Sequence, residues 1–148
     1  MSQPNLPDGD HIARYVPWAK VDKDDCDNVR GILWSAFQRR DDEDGLSVNW
    51  LERTGCENQE DALRTTVQFL RAGGLEVKKK ARLAVANVKK FKEVCASRET
   101  KVRIIHVPDD GNEPHSEVRQ IPREDLRLLE DLARFAVSSH HACGNHME

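Results

Sequence analysis

The sequence predicts an α+β fold: a small, mostly antiparallel sheet covered by two amphipathic helices, at about residues 58–72 and 122–138. Three observations predict it. LSVNWLE (46–52) alternates apolar and polar residues with the period of a half-buried strand. Residues 58–72 carry apolar side chains at helical spacing between a capping residue and a double glycine. Two strand-like runs, 102–107 and 115–121, flank PDDGNEP, which is turn chemistry. Strands, a helix, more strands and a last helix do not alternate as a doubly wound parallel fold would.

Each element has a local reason. Residues 1–10 hold two prolines and a glycine among polar residues, and are expected to be mobile. HIARYV (11–16) reads as a strand closed by Pro17, with Ile12, Arg14 and Val16 on one face. Periodicity cannot decide whether GILWSAF (31–37) is strand or helical turn. In 46–52, Leu46, Val48 and Trp50 form the apolar face, and Ser47 and Asn49 point the other way. Asn58 is placed to cap the first helix, with Glu60 and Asp61 at its positive end and Gly73-Gly74 as its stop. RLAVANV (82–88) is apolar on both faces, which suits a central strand. The lysine-rich stretch 89–99 fits a short helix or a loop. Pro122 sits at a favoured first helical position, and Leu126, Leu129, Ala133 and Ala136 form one row behind it. A single domain over 11–138 and a loose His- and Cys-containing tail over 139–148 are expected.

Composition narrows the function classes. At 148 residues, 38% hydrophobic and 33% charged, the chain suits one soluble domain with a modest core. No run approaches the ~20 apolar residues a bilayer span needs. The first residues have neither a basic nor an apolar stretch of the secretory kind. Cys26, Cys56, Cys95 and Cys143 are scattered without CxxC spacing, so reduced thiols and a cytoplasmic setting are expected. P-loop, GxGxxG, HExxH and GxSxG signatures are missing, which disfavours the cofactors that need them; no cofactor is assigned. Net charge is −3, but residues 1–61 carry seven basic against fourteen acidic side chains, 62–105 twelve against three, and 106–148 four against nine. Such segregation suits a partner surface or a phosphate-binding face.

Three constellations carry candidate chemistry. If the strands on either side of 108–114 pair, His106 and His115 come close on one face, with Glu117 to orient an imidazole and Arg119 to meet an anion. His11, Arg14, Ser47 and Asn49 are polar positions of the early strands; lining a cleft, Arg14 would hold an anion and Asn49 would orient a substrate. Lys78, Lys79, Lys80 and Arg82 would add phosphate contacts. In the tail, His140, His141, Cys143 and His146 supply the usual number of zinc ligands, at a spacing that matches no established zinc module.

The order HIARY, LSVN, HSEV resembles the ADP-ribosyltransferase pattern, which sets a basic or His residue on an early strand, Ser on a middle strand and Glu on a late one. His11 or Arg14, Ser47 and Glu117 are the matching positions. The resemblance covers about a dozen non-contiguous positions and lacks the Ser-Thr-Ser triplet. It implies ADP-ribosyl chemistry at those residues. The sequence therefore leads to a small binding or accessory protein that meets a protein partner, or itself, through segregated charge. The alternative is an enzyme acting on RNA or a nucleotide, with a His/Glu/Arg site on the sheet.

Overall fold

The computed structural model describes residues 4–147. Six strands form one antiparallel sheet: β1 (His11–Val16), β4 (Gly45–Trp50), β5 (Arg82–Asn87), β6 (Arg103–His106), β7 (His115–Arg119) and β8 (Val137–Ala142). Their spatial order is β6-β7-β4-β1-β5-β8. A separate hairpin joins β2 (Val21–Lys23) to β3 (Val29–Ile32). The helices are α1 (Gln59–Ala72), α2 (Val88–Ala96) and α3 (Leu126–Asp131).

The sheet separates two apolar clusters. On one face Ile12, Val16, Leu46, Val48, Ile104 and Val118 meet Phe91 of α2 and Leu128, Leu129 and Leu132 around α3. On the other, Ala13, Leu83 and Val85 meet Ala62, Leu63 and Val67 of α1. β5 serves both clusters, with Ala84 and Ala86 in the first and Leu83 and Val85 in the second. This accounts for its two-sided apolar sequence and its place between β1 and β8. On the α1 side of the sheet, β4 and β7 carry polar Ser47, Asn49 and His115 instead.

β1 and β4 are neighbours for only two register positions, Ile12 with Trp50 and Ala13 with Asn49. Over the same length β1 pairs β5 at six. The Leu51 amide, just past β4, donates to the His11 carbonyl, so residues 47 and 49 of β4 aim their backbone groups at β1 as well. The next pair in that series, Tyr15 with Ser47, is not formed. The sheet is split there.

Several elements differ from the sequence expectation. The N-terminal segment is packed: Leu6 is buried, its amide donates to the Ile104 carbonyl at 2.9 Å, and the His106 amide donates to the Pro4 carbonyl at 2.9 Å. Residues 4–6 thereby line the outer edge of β6 and cover groups an edge strand would expose. Residues 1–3 lie outside the described residues. Of the two readings left open for 89–99, the helix is the one formed, because the Asn87 side chain caps it, accepting from the Lys90 amide at 2.9 Å, while Val88, Phe91, Val94 and Cys95 are buried. The last helix is shorter than its apolar row. Asp125 caps it by accepting from the Leu128 amide, it ends at Asp131, and a π-helical turn over 132–136 leads into β8. The tail expected to be loose is therefore an edge strand paired with β5, followed by a 3-10 turn at Cys143–His146. Among the described residues no helix is long and apolar enough to cross a membrane.

The Leu6 contact is directly testable. Leu6→Ala should lower stability by about 2–5 kcal/mol in urea unfolding. A change within error would mean that the segment is frayed.

Candidate functional site

Arg14 opens the site. Its side chain enters the split between β1 and β4, where Nε donates to the Ala36 carbonyl at 2.9 Å and Nη1 to the Ser47 carbonyl at 2.8 Å. The guanidinium thus takes over a carbonyl that the β1 ladder leaves unmet. Among the described residues it has no ion pair with a carboxylate. Burial is the largest influence on it and pushes its pKa down to about 10; Glu43 opposes that shift and Arg40 adds to it. At neutral pH the group is still charged, so a desolvated cation faces the cleft with no counter-ion bonded to it.

The cleft beside it has a volume of about 370 Å³, within the range of small-molecule sites. Ala13, Tyr15, Ser47, Asn49 and His115 line it from the sheet, and Leu70, Gly73 and Leu75 from the end of α1 and beyond. Lys20, Arg39 and Arg40 line it near Arg14. Burial, then Arg14, then Arg40 hold the Lys20 ammonium below its ordinary pKa, which locates the three cations in one field. Glu43 and Asp109 are the acidic lining residues. Arg39 is committed to backbone, donating to the Ile121 and Glu43 carbonyls.

The 108–114 loop folds down onto α1 at the other end. Gly111 has φ +77°, and a Cβ there would lie 2.4 Å from the Ala72 carbonyl oxygen, so only glycine permits this approach. Asn112 and Asn49 are buried and exchange amide hydrogen bonds, Asn49 Nδ2 to Asn112 Oδ1 at 2.8 Å and the reverse at 3.2 Å. The pair gives each nearly buried amide a partner at the cleft wall, and ties the loop to the sheet.

His115 stands between loop and floor. Its Nδ1 lies 2.7 Å from the Val107 carbonyl, which can only accept, so Nδ1 carries the proton. Its Nε2 is then an acceptor, and the Ser47 hydroxyl at 3.2 Å donates to it.

Of the residues nominated from sequence, Arg14, Ser47, Asn49 and His115 converge on this cleft. The others do not. β6 pairs His106 with Ser116, so His106 and His115 lie on opposite faces of the sheet, and the expected pair of imidazoles is not formed. His106 is buried edge-on against Trp50 and donates from Nε2 to the Glu113 carbonyl at 2.8 Å. Glu117 is opposite Ser47 in register but bonded to Arg119 at 2.6 Å. His11 bonds Glu52 at 2.7 Å, next to the start of α1. Lys78 pairs with Glu76, Lys80 lies over Trp18, and Arg82 donates to His140 Nδ1. The backbone of Lys79 accepts from the Gly144 amide. Lys20, Arg40 and Asn112 were not visible as site residues, because a turn and a loop bring them in from outside the strands.

The tail residues do not assemble a zinc site. Among the described residues no three His, Cys, Asp or Glu side chains are grouped to hold a metal. His140 Nδ1 is taken by Arg82, and the Cys143 thiol is buried. A larger cavity, about 770 Å³, lies between the N-terminal segment and β6, lined by Leu6, Pro7, Val102 and Ile104 among others. Asp8, Lys92, Glu99 and Arg103 also line it, but none of the residues nominated from sequence does, so the smaller cleft is the candidate site.

No known family model, curated protein or solved structure matches this chain. Its chemistry has to be argued from the cleft itself.

The amide pair gives a measurable coupling. Asn112→Ala should destabilise by about 1–3 kcal/mol, because it strands the buried Asn49 amide. Combined with Asn49→Ala, the loss should be smaller than the sum of the singles; strict additivity would mean the two amides do not depend on each other.

Proposed function

We propose that the cleft binds a phosphate-bearing small molecule of about nucleotide size. The observation that carries this is Arg14: a charged guanidinium, desolvated in the split between β1 and β4, bonded to two carbonyls and to no carboxylate. An anion in the cleft would supply the missing charge, and guanidinium groups suit phosphate oxygens in geometry as well as charge. Lys20 adds positive charge beside it, and so does Arg40, whose charge is partly met by an ion pair with Glu43 at 3.7 Å. Polar Ser47 and His115 also line the cleft, where the non-phosphate part of a ligand would rest.

Surface charge is the weaker carrier of function. Lys92 of the basic middle third is paired with Asp8, and Arg98 with Asp131, so the acidic outer thirds take up part of it. A protein partner would have to be recognised by what remains.

Adjacency supports ADP-ribosyl chemistry as a second reading. Arg14, Ser47 and Glu117 belong to three neighbouring strands, in the order that resembles ADP-ribosyltransferases, with Ser47 and Glu117 opposed. An ADP-ribosyl donor presents a pyrophosphate, so one binding test serves both readings.

Calorimetric titration with ADP, inorganic pyrophosphate and adenosine is that test. The two phosphate compounds should bind and adenosine should not. The Lys20→Gln/Arg40→Gln double variant, which removes cleft charge without touching the Arg14 hydrogen bonds, should bind them roughly tenfold more weakly or worse. Equal binding by the variant, or equal affinity for adenosine, would overturn the proposal.

A further inference from the structure

We propose that Ser47 is a nucleophile activated by His115, and that the cleft hydrolyses a carboxylic ester carrying an anionic group. The inference deepens the phosphate-cleft reading, and depends on it only for the charge of the substrate. Three observations support it. The Val107 carbonyl at 2.7 Å holds the Nδ1 proton of His115 and so fixes the tautomer that leaves Nε2 as a base. Ser47 Oγ lies 3.2 Å from that nitrogen, and both side chains line the cleft. Ser47 also sits where the sheet splits. Its backbone faces β1 at the pair that is not formed, and the Arg14 guanidinium, bonded to its carbonyl, places a positive charge beside the serine.

The reaction balances with water alone. Ser47 Oγ attacks the ester carbon while its proton passes to Nε2 of His115. The tetrahedral intermediate collapses by breaking the bond to the alcohol oxygen, which takes the proton from Nε2. Water then attacks the acyl-serine, giving one proton to Nε2, and the acid departs as that proton returns to Oγ. Ester and water become acid and alcohol. In this scheme the backbone carbonyl of Val107 occupies the orienting position that a carboxylate fills in a triad.

A second serine provides an internal contrast. Ser139 Oγ lies 2.9 Å from Nε2 of His141, a shorter contact, but Ser139 and His141 do not line the cleft. If closeness to a histidine were sufficient, Ser139 would react first.

The test is labelling of the full-length protein by a fluorophosphonate probe, with the modified residue located by mass spectrometry. Label is expected on Ser47, at a rate roughly 10²–10⁴ above that of His115→Gln, the range for a positioned base. Ser47→Ala should abolish it and Ser139→Ala should leave it unchanged, with circular dichroism of each variant matching the parent. Label on Ser139, label persisting in Ser47→Ala, or no label on the folded parent would each overturn the proposal. Its failure is distinct from failure of the binding proposal: an unlabelled protein that binds pyrophosphate retains the cleft and loses the nucleophile, and a labelled protein that binds none does the reverse.

Discussion

The arrangement of this molecule depends on a cation placed where a strand ladder stops. Arg14 belongs by alternation to the same face as Ile12 and Val16, a position that calls for an apolar side chain. Its stem can lie with them, but its guanidinium needs acceptors and finds them in the carbonyls of Ala36 and Ser47. β1 and β4 cannot close over that group, so their pairing ends after two positions and the cleft begins. A sheet completed through Tyr15 and Ser47 would leave no such opening. The split coincides with that one side chain, and Lys20 and Arg40 add to the charge it brings.

The other end of the cleft is set by a contact of a different kind. Gly111 lets the 108–114 loop approach the carbonyl of Ala72 more closely than a Cβ would allow. The reciprocal amides of Asn49 and Asn112 then hold the loop against the floor. Because each amide satisfies the other, losing one strands a buried polar group instead of merely removing a bond. The same loop ends beside Val107, whose carbonyl fixes His115, so loop seating and the orientation of the imidazole are coupled through a few residues.

Much of the fold was legible because strongly periodic segments stayed true to period. LSVNW appears as β4 with the alternation read from it, and Asn58 caps α1, accepting from the Asp61 amide at 2.8 Å. RLAVAN is flanked on both sides as its apolar pattern required. What was not legible followed from tertiary partners. VSSHHA has little hydrophobic signal, and becomes β8 because β5 has an edge to offer. Asn87 looks like a polar strand residue and acts as a helix cap. Half of the site was visible for the same reason that β4 was, since Ser47 and Asn49 lie on a regular polar face. The pairing of His106 with His115 failed on register: the connection sets His106 opposite Ser116, and one residue of offset changes the face. The mouth of the cleft comes from Lys20 and Arg40, on segments with no period to read.

The most direct measurement is NMR observation of the Arg14 guanidinium with and without pyrophosphate. Held by the carbonyls of Ala36 and Ser47, its Nε–H and Nη–H groups should exchange slowly and give separate signals, unlike those of exposed arginines. Those signals should move when pyrophosphate is added. A rapidly exchanging, averaged Arg14 signal that ignores pyrophosphate would contradict both the split in the sheet and the site built around it.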